Sequence, residues 1–172
     1  MRAKGIDCDS RFLVGWNTVD GEYVGLGSRV ATADKEVILY PVWKEYASEK
    51  DFTMNNGILT GFSGMPDDDG AVVIPNRVNG EKVTAIGENA FKDCLAKTYY
   101  IPDTVETIED NAFLNCTNLK EVYMSDNLMN ITDSAFKGCA NFETLHLNAY
   151  FKPKHAKEDI SIVSGFTIVI FI

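Results

Sequence analysis

From residue 72 onward, apolar and polar positions alternate in short bursts that return at a nearly fixed interval. Three segments align: Ile86-Gly-Glu-Asn-Ala-Phe-Lys-Asp-Cys94, Ile108-Glu-Asp-Asn-Ala-Phe-Leu-Asn-Cys116 and Ile131-Thr-Asp-Ser-Ala-Phe-Lys-Gly-Cys139. The common pattern is I-x-x-x-A-F-x-x-C, with spacings of 22 and then 23 residues. Behind the second and third cysteines runs a period-two stretch, Leu119-Lys-Glu-Val-Tyr-Met124 and Phe142-Glu-Thr-Leu-His-Leu147, the signature of a strand with one buried face. The first copy is one residue shorter and supplies Tyr99-Tyr-Ile101 before Pro102, as Val72-Val-Ile74 does before Pro75. Continuing the same step from Leu145 and Leu147 reaches Ile168 and Ile170. Strand rows are therefore expected near 72–74, 99–101, 122–124, 145–147 and 168–170.

A period of this length cannot bury its apolar face within one copy, so copies stack and share a continuous core. The expectation is a β-rich α/β repeat solenoid, with one strand per row in a parallel sheet of ~4.8 Å spacing. The Ala-Phe-x-x-Cys piece should form a short helical or 3-10 turn. Phe91, Phe113 and Phe136 should stack as an inner column, and Cys94, Cys116 and Cys139 as a thiol column beside it. Free buried thiols are the preferred state of those cysteines, with a disulfide between neighbouring rows as the alternative, since in-register Cα atoms lie within bridging distance. Cys8 lies outside the repeat and is expected to be exposed.

Alternation also fixes what faces outward. Thr98, Glu121 and Thr144 fall in one outward column, and Tyr100, Tyr123 and His146 in the next, with Val169 continuing it. The second column reads as an exposed aromatic ladder. Tyrosine offers rigid apolar area and a hydroxyl, which suits protein hot spots and sugar stacking. The same ladder could simply stabilise the sheet, because aromatic cross-strand pairs contribute ~0.2–1 kcal/mol each.

The first fifty residues follow another pattern. Phe12-Leu-Val-Gly-Trp-Asn leads to turn residues at Asp20-Gly21, Gly25 and Gly27. Val30, a turn at Ala33-Asp34-Lys35 and Val37-Ile-Leu-Tyr-Pro-Val-Trp43 follow. The expected division is a small β-rich module over 1–46, a polar linker over 47–56 and the repeat domain over 57–172.

Composition narrows the function. Sixteen Lys and Arg against twenty-five Asp and Glu give a net charge of −9, which lacks the cationic footprint of a nucleic-acid binder. No apolar run approaches the roughly 18 residues of a membrane span. The N-terminal Met1-Arg-Ala-Lys-Gly-Ile-Asp is not followed by the apolar core of a signal peptide. His146 and His155 are the only histidines, which argues against a His-dependent triad or a multi-histidine metal centre. Gly61-Phe-Ser-Gly64 lacks the spacing of a nucleophile elbow, and no P-loop or dinucleotide fingerprint occurs. No catalytic residue, cofactor or metal ligand is assigned. Asp67-Asp-Asp-Gly70 lacks the alternating acidic positions of a calcium loop and is expected to be a solvated turn. Asn115-Cys-Thr117 and Asn130-Ile-Thr132 match the glycosylation sequon but adjoin inward-facing repeat positions. Asn118 and Asn141, two residues past the cysteines, are expected to bond to the backbone of turns.

Ile101-Pro-Asp-Thr-Val-Glu-Thr-Ile-Glu-Asp-Asn-Ala-Phe-Leu-Asn-Cys-Thr-Asn-Leu119 resembles the BspA-like leucine-rich repeat of bacterial and some protozoan surface proteins. Gly57-Ile-Leu-Thr-Gly-Phe-Ser-Gly64 with Val72–Val83 is similar to that family's longer first row. The fourth row, beyond residue 147, lacks the Ala-Phe and Cys, so it is either a cap or a place where a longer array is cut, and the strand ending at Ile172 favours a cut. Gly15-Trp16 with the closing Leu39-Tyr-Pro-Val-Trp43 resembles the Listeria–Bacteroides repeat, here without its opening strand. The resemblance implies an extracellular or cell-surface, non-enzymatic binding and adhesion module presenting a repeat surface to host proteins or glycans. Thr98, Tyr100, Glu121, Tyr123, Thr144 and His146, on the concave sheet face, are its candidate ligand-binding residues. A spacer or stalk without a ligand is the alternative, as is an accessory region of a larger carbohydrate-active surface protein. The apolar strand at Ile168–Ile172 is expected to promote self-association.

Overall fold

The computed structural model describes residues 7–8, 11–25, 38–148 and 167–171. Val30, the expected turn at Ala33-Asp34-Lys35 and His155 fall outside them, as does the side chain of Cys8. The chain divides into two compact units between Tyr46 and Ala47.

The first unit is an antiparallel sheet of β1 (Asp7–Cys8), β2 (Arg11–Thr18), β3 (Tyr23–Gly25) and β4 (Leu39–Glu45), in which β2 pairs with the other three. Leu13 and Val14 of β2 are buried. A bulge between Leu13 and Gly15 leaves Leu13 opposite Trp43 and Gly15 opposite Val42. The sharp turn at Asp20-Gly21 is closed by the Gly21 amide donating to the Thr18 carbonyl at 3.0 Å.

In the second unit the strands are β5 (Phe52–Asn55), β6 (Ile58–Phe62), β7 (Ala71–Val73), β8 (Arg77–Val78) and β9 (Glu81–Lys82). They continue with β10 (Ala85–Ile86), β11 (Thr98–Tyr100), β12 (Thr107–Ile108), β13 (Glu121–Tyr123), β14 (Asn130–Ile131), β15 (Thr144–Asn148) and β16 (Thr167–Phe171). One sheet takes the order β7-β11-β13-β15-β16, with the first three pairings parallel. These are the expected row strands, each beginning one residue before its expected start. Val72, Tyr99, Val122 and Leu145 occupy equivalent positions and point into the core.

A second parallel sheet, β6-β10-β12-β14, was not expected from the sequence. Beyond β6 its strands are two-residue pieces, and the four carry Leu59, Ile86, Ile108 and Ile131 in register. The leading Ile of each motif therefore sits on a second wall of the solenoid.

The stretch expected as a linker corrects that expectation. Ala47 donates its amide to the Val73 carbonyl at 2.9 Å, and β5 pairs antiparallel with β6 through the Asn56-Gly57 turn. Phe52, only 6% exposed, enters the core because Phe-Thr-Met-Asn alternates like a strand.

The Ala-Phe-x-x-Cys returns are chains of i→i+3 turns rather than continuous helix. Asn89, Asp93, Asn111 and Asn115 adopt φ of 55–59°, and Gly138 78°. Left-handed residues break a helix, and asparagine, aspartate and glycine tolerate that region best. Neighbouring returns are stitched together by Phe91 N–H to Ala112 O and Phe113 N–H to Ala135 O, both 2.8 Å.

The aromatic column forms as expected. Phe91 and Phe113 stack at 5.2 Å, Phe113 and Phe136 at 5.0 Å. Phe62 extends it at one end, and Phe142 lies on Phe136 at 4.7 Å. The cysteines are free, but only Cys116 and Cys139 are buried; Cys94 is half-buried, which corrects the expectation of three equivalent core thiols. Each buried thiol donates to the Phe carbonyl of the preceding row at 3.0 Å, Cys116 to Phe91 and Cys139 to Phe113. The expected asparagine bonds are present too: Asn118 Nδ2 donates to Leu95 O and Asn141 Nδ2 to Thr117 O. Asp67–Gly70 is a turn, its Asp67 Oδ1 accepting from the amides of Asp69 and Ala71.

Candidate functional site

The six candidate residues lie on β11, β13 and β15. Parallel register sets Thr98 beside Glu121 and Glu121 beside Thr144, and sets Tyr100 beside Tyr123 and Tyr123 beside His146. Alternation along each strand puts all six on the face opposite the core. The rings are stacked: Tyr100 and Tyr123 have centroids 4.7 Å apart, Tyr123 and His146 4.0 Å apart, with interplanar angles of 13° and 4°.

The exposed character of this ladder is corrected. Tyr100 is 6% exposed, and the His146 side chain 14%. Tyr100 has Tyr123 against one face and sits in register with Val73 on the other side, so stacking itself removes its ring from water. Tyr123 is half-buried. Val169 lies on β16, beside β15 in the sheet, but its side chain falls outside the described residues.

Glu121 ties the two columns together. Its Oε2 accepts from the Tyr123 hydroxyl at 3.1 Å and lies 3.5 Å from His146 Nε2. Thr98 and Thr144 are half-buried on either side of it. The His146 imidazole beside it holds the Glu121 carboxyl below the usual glutamate range. Burial opposes that shift, and the Tyr123 hydroxyl reinforces it. The sequence identified these residues singly, but not that one carboxylate joins a tyrosine two residues on to a histidine on the next strand.

A carboxyl depressed by folding contributes stability that is complete above its unfolded pKa and is lost as pH falls through the folded one. The Glu121→Gln variant is therefore expected to be less stable than the parent at neutral pH, with the gap closing in acid. Urea midpoints across that range measure it, and a gap that stays constant with pH would refute the assignment.

Inside the core, Tyr99 places its buried hydroxyl among the thiols. Burial, with the neighbouring Cys94 and Cys116, pushes its ionisation well above the ordinary phenol range. The Cys116 thiol is likewise pushed up, by its contact with Cys139 and by burial. Their burial suits packing within the core. Among the described residues no cluster of three or more His, Cys, Asp or Glu side chains could hold a metal ion. Among the same residues no helix is long and apolar enough to cross a membrane.

The family model described as BspA type Leucine rich repeat region matches residues 75–154, in six copies. No curated protein matches the sequence. Among solved structures, the chain is similar to the T. pallidum leucine-rich repeat protein TpLRR. The identity is 24% and the TM-score 0.53, over 60% of this chain and 53% of the other. The chain thus spans about half the length of that protein, and the likeness is one of fold. Leucine-rich repeat folds are typically non-catalytic and serve in protein interactions. Over residues 75–154, the chain is similar to the BspA-type leucine-rich repeat family.

Proposed function

We propose that the repeat unit is a non-enzymatic binding and adhesion module of a cell-surface or secreted protein, presenting its sheet face to host extracellular proteins or glycans. The observation that carries this reading is the fixed register of Glu121, Tyr123 and His146, half-buried and joined across two rows. A carboxylate, a phenol and an imidazole held by stacking form a rigid polar patch that loses little rotamer freedom on binding. Equivalent positions in successive rows allow weak contacts to add through avidity.

The test is a screen against immobilised matrix proteins and a glycan array. It compares the parent with a Tyr123→Ala, His146→Ala double variant whose circular dichroism shows it folded. Binding by the parent that is lost in the variant supports the module and locates its surface. Binding retained in full by the variant refutes the face.

The burial of Tyr100 favours a second reading, in which the ladder stiffens a spacer or stalk. Binding by neither protein decides for it. An accessory role within a larger carbohydrate-active surface protein remains a third, decided by a catalytic domain elsewhere in the same gene product. The uncharged Thr167–Phe171 strand lies beside β15, and we extend the proposal to self-association through it. Sedimentation should show oligomers that Val169→Lys disperses, and a monomeric parent at high concentration would end that extension.

A further inference from the structure

The unit contains two Asn-Gly hairpins with the same turn and different restraints. Asn56-Gly57 links β5 to β6 with φ of 50° and 81°, and Asn79-Gly80 links β8 to β9 with φ of 52° and 81°. Both are two-residue turns of the type that asparagine followed by glycine favours. Both asparagines are exposed.

Gly57 is locked. Its carbonyl accepts from the amides of Thr84 at 2.8 Å and Ala85 at 3.2 Å, and from the Thr84 hydroxyl at 3.2 Å. The glycine is buried, and a side chain there would meet Thr84 Oγ1 at 2.8 Å. Gly80 is open: it is exposed, and nothing lies within 4 Å of where a Cβ would stand. Among the described residues its carbonyl accepts from an exposed arginine, Arg77 Nη1, at 2.9 Å. β8 and β9 are two residues each and, among the described residues, pair with one another.

We propose that Asn79-Gly80 is a site of spontaneous backbone modification, and that Asn56-Gly57 is protected from the same reaction by the fold. The Gly80 amide gives its proton to hydroxide or a buffer base, and its nitrogen attacks the Asn79 side-chain carbon. A new C–N bond closes a five-membered imide as the C–N bond to the side-chain nitrogen breaks, and that nitrogen takes a proton from the protonated base or water and leaves as ammonia. Water then opens the imide at either carbonyl, leaving aspartate or isoaspartate at position 79. The ring requires the Asn–Gly peptide plane to turn out of its hairpin orientation. Gly80 can follow that rotation, whereas Gly57, buried and held at its own carbonyl by Thr84 and Ala85, resists it.

The product has a structural consequence. The Asn79 amide is held by Glu49 Oε2 at 2.6 Å. A carboxylate at position 79 sets two like charges near one another, and isoaspartate adds a backbone carbon to a turn whose register allows none. Both loosen the hairpin from the segment that leads into β5.

The test incubates the intact folded chain in warm, mildly alkaline buffer and follows each site by peptide mapping, with an isoaspartate-specific methyltransferase as the second readout. Position 79 is expected to convert about tenfold faster than position 56, the ratio that a barrier difference of about 1.4 kcal/mol produces. In urea, where neither turn is held, the two rates should converge. Equal rates in the folded chain, or conversion of position 56 first, would overturn the proposal. A ratio that survives unfolding would overturn it too, because flanking sequence rather than the fold would then set it.

Discussion

The Phe113→Ala variant is expected to lose about 3–5 kcal/mol of unfolding free energy, the range for deleting a large aromatic ring from a core that cannot collapse around the gap. Phe113 is fully buried, with Phe91 stacked on one face and Phe136 on the other, and Tyr99 packed edge-on at 4.9 Å. Its neighbours cannot move inward to fill the void, because their own rows are fixed by backbone bonds on both sheets. The cut also falls at the centre of the array, so stacking is lost with the rows before and after. Chemical unfolding measures the loss. Phe142→Ala is the internal comparison, since that ring stacks on Phe136 at the end of the column, is 7% exposed and should cost less. Equal costs would show that stability is not organised along the column.

Gly87→Val is expected to have the next largest effect. Gly87 donates its amide to Leu59 O at 2.8 Å, closing β6 onto the first return. A Cβ there would stand 2.8 Å from that carbonyl oxygen and 2.9 Å from Ile58 Cγ2. A side-chain end could swing away, but a strand carbonyl cannot, so the two rows must separate. Overpacking costs about 1–3 kcal/mol, and each backbone bond lost adds about 0.5–1.5 kcal/mol. Gly61→Val is the control, because its Cβ would meet only Thr53 at 3.6 Å, an ordinary contact. Hydrogen exchange at Ala85 and Gly87 should accelerate in the first variant and not in the second. Unchanged exchange would mean that the rows tolerate the extra bulk.

The period of the Ala-Phe-x-x-Cys motif was enough to place the row strands and the Phe column, because both depend on residues repeating in phase. The second sheet escaped notice for a physical reason. Ala85–Ile86, Thr107–Ile108 and Asn130–Ile131 are too short to show alternation, so their strand character exists only in pairing with the next row. Phe52-Thr-Met-Asn is polar enough to read as a linker, and its role depends on one buried ring. At the candidate site, alternation set the face correctly but not its exposure. Stacking consumes the surface of Tyr100, and no single strand reveals that. Glu121 shows the same limit: its neighbours in space, Tyr123 and His146, are two and twenty-five positions away along the chain.

Five side-chain bonds between neighbouring rows run the same way, while Glu109 Oε2 and Ser134 Oγ accept amide protons from the row before. Cys116, Asn118, Asn127, Cys139 and Asn141 each donate to a backbone carbonyl of the row before, so each row supplies the donors that hold it to its predecessor. In these five the acceptor is main chain, which any sequence provides. The first short row illustrates the rule, since Cys94 is followed by Leu95-Ala96-Lys97 with the asparagine position missing. An array built this way can lengthen by duplication of a single row, because the new copy carries its own donors to the main chain of the copy it lands on. It also follows that a row can change its outward residues while its donors stay fixed, so surface and scaffold are free to diverge at different rates.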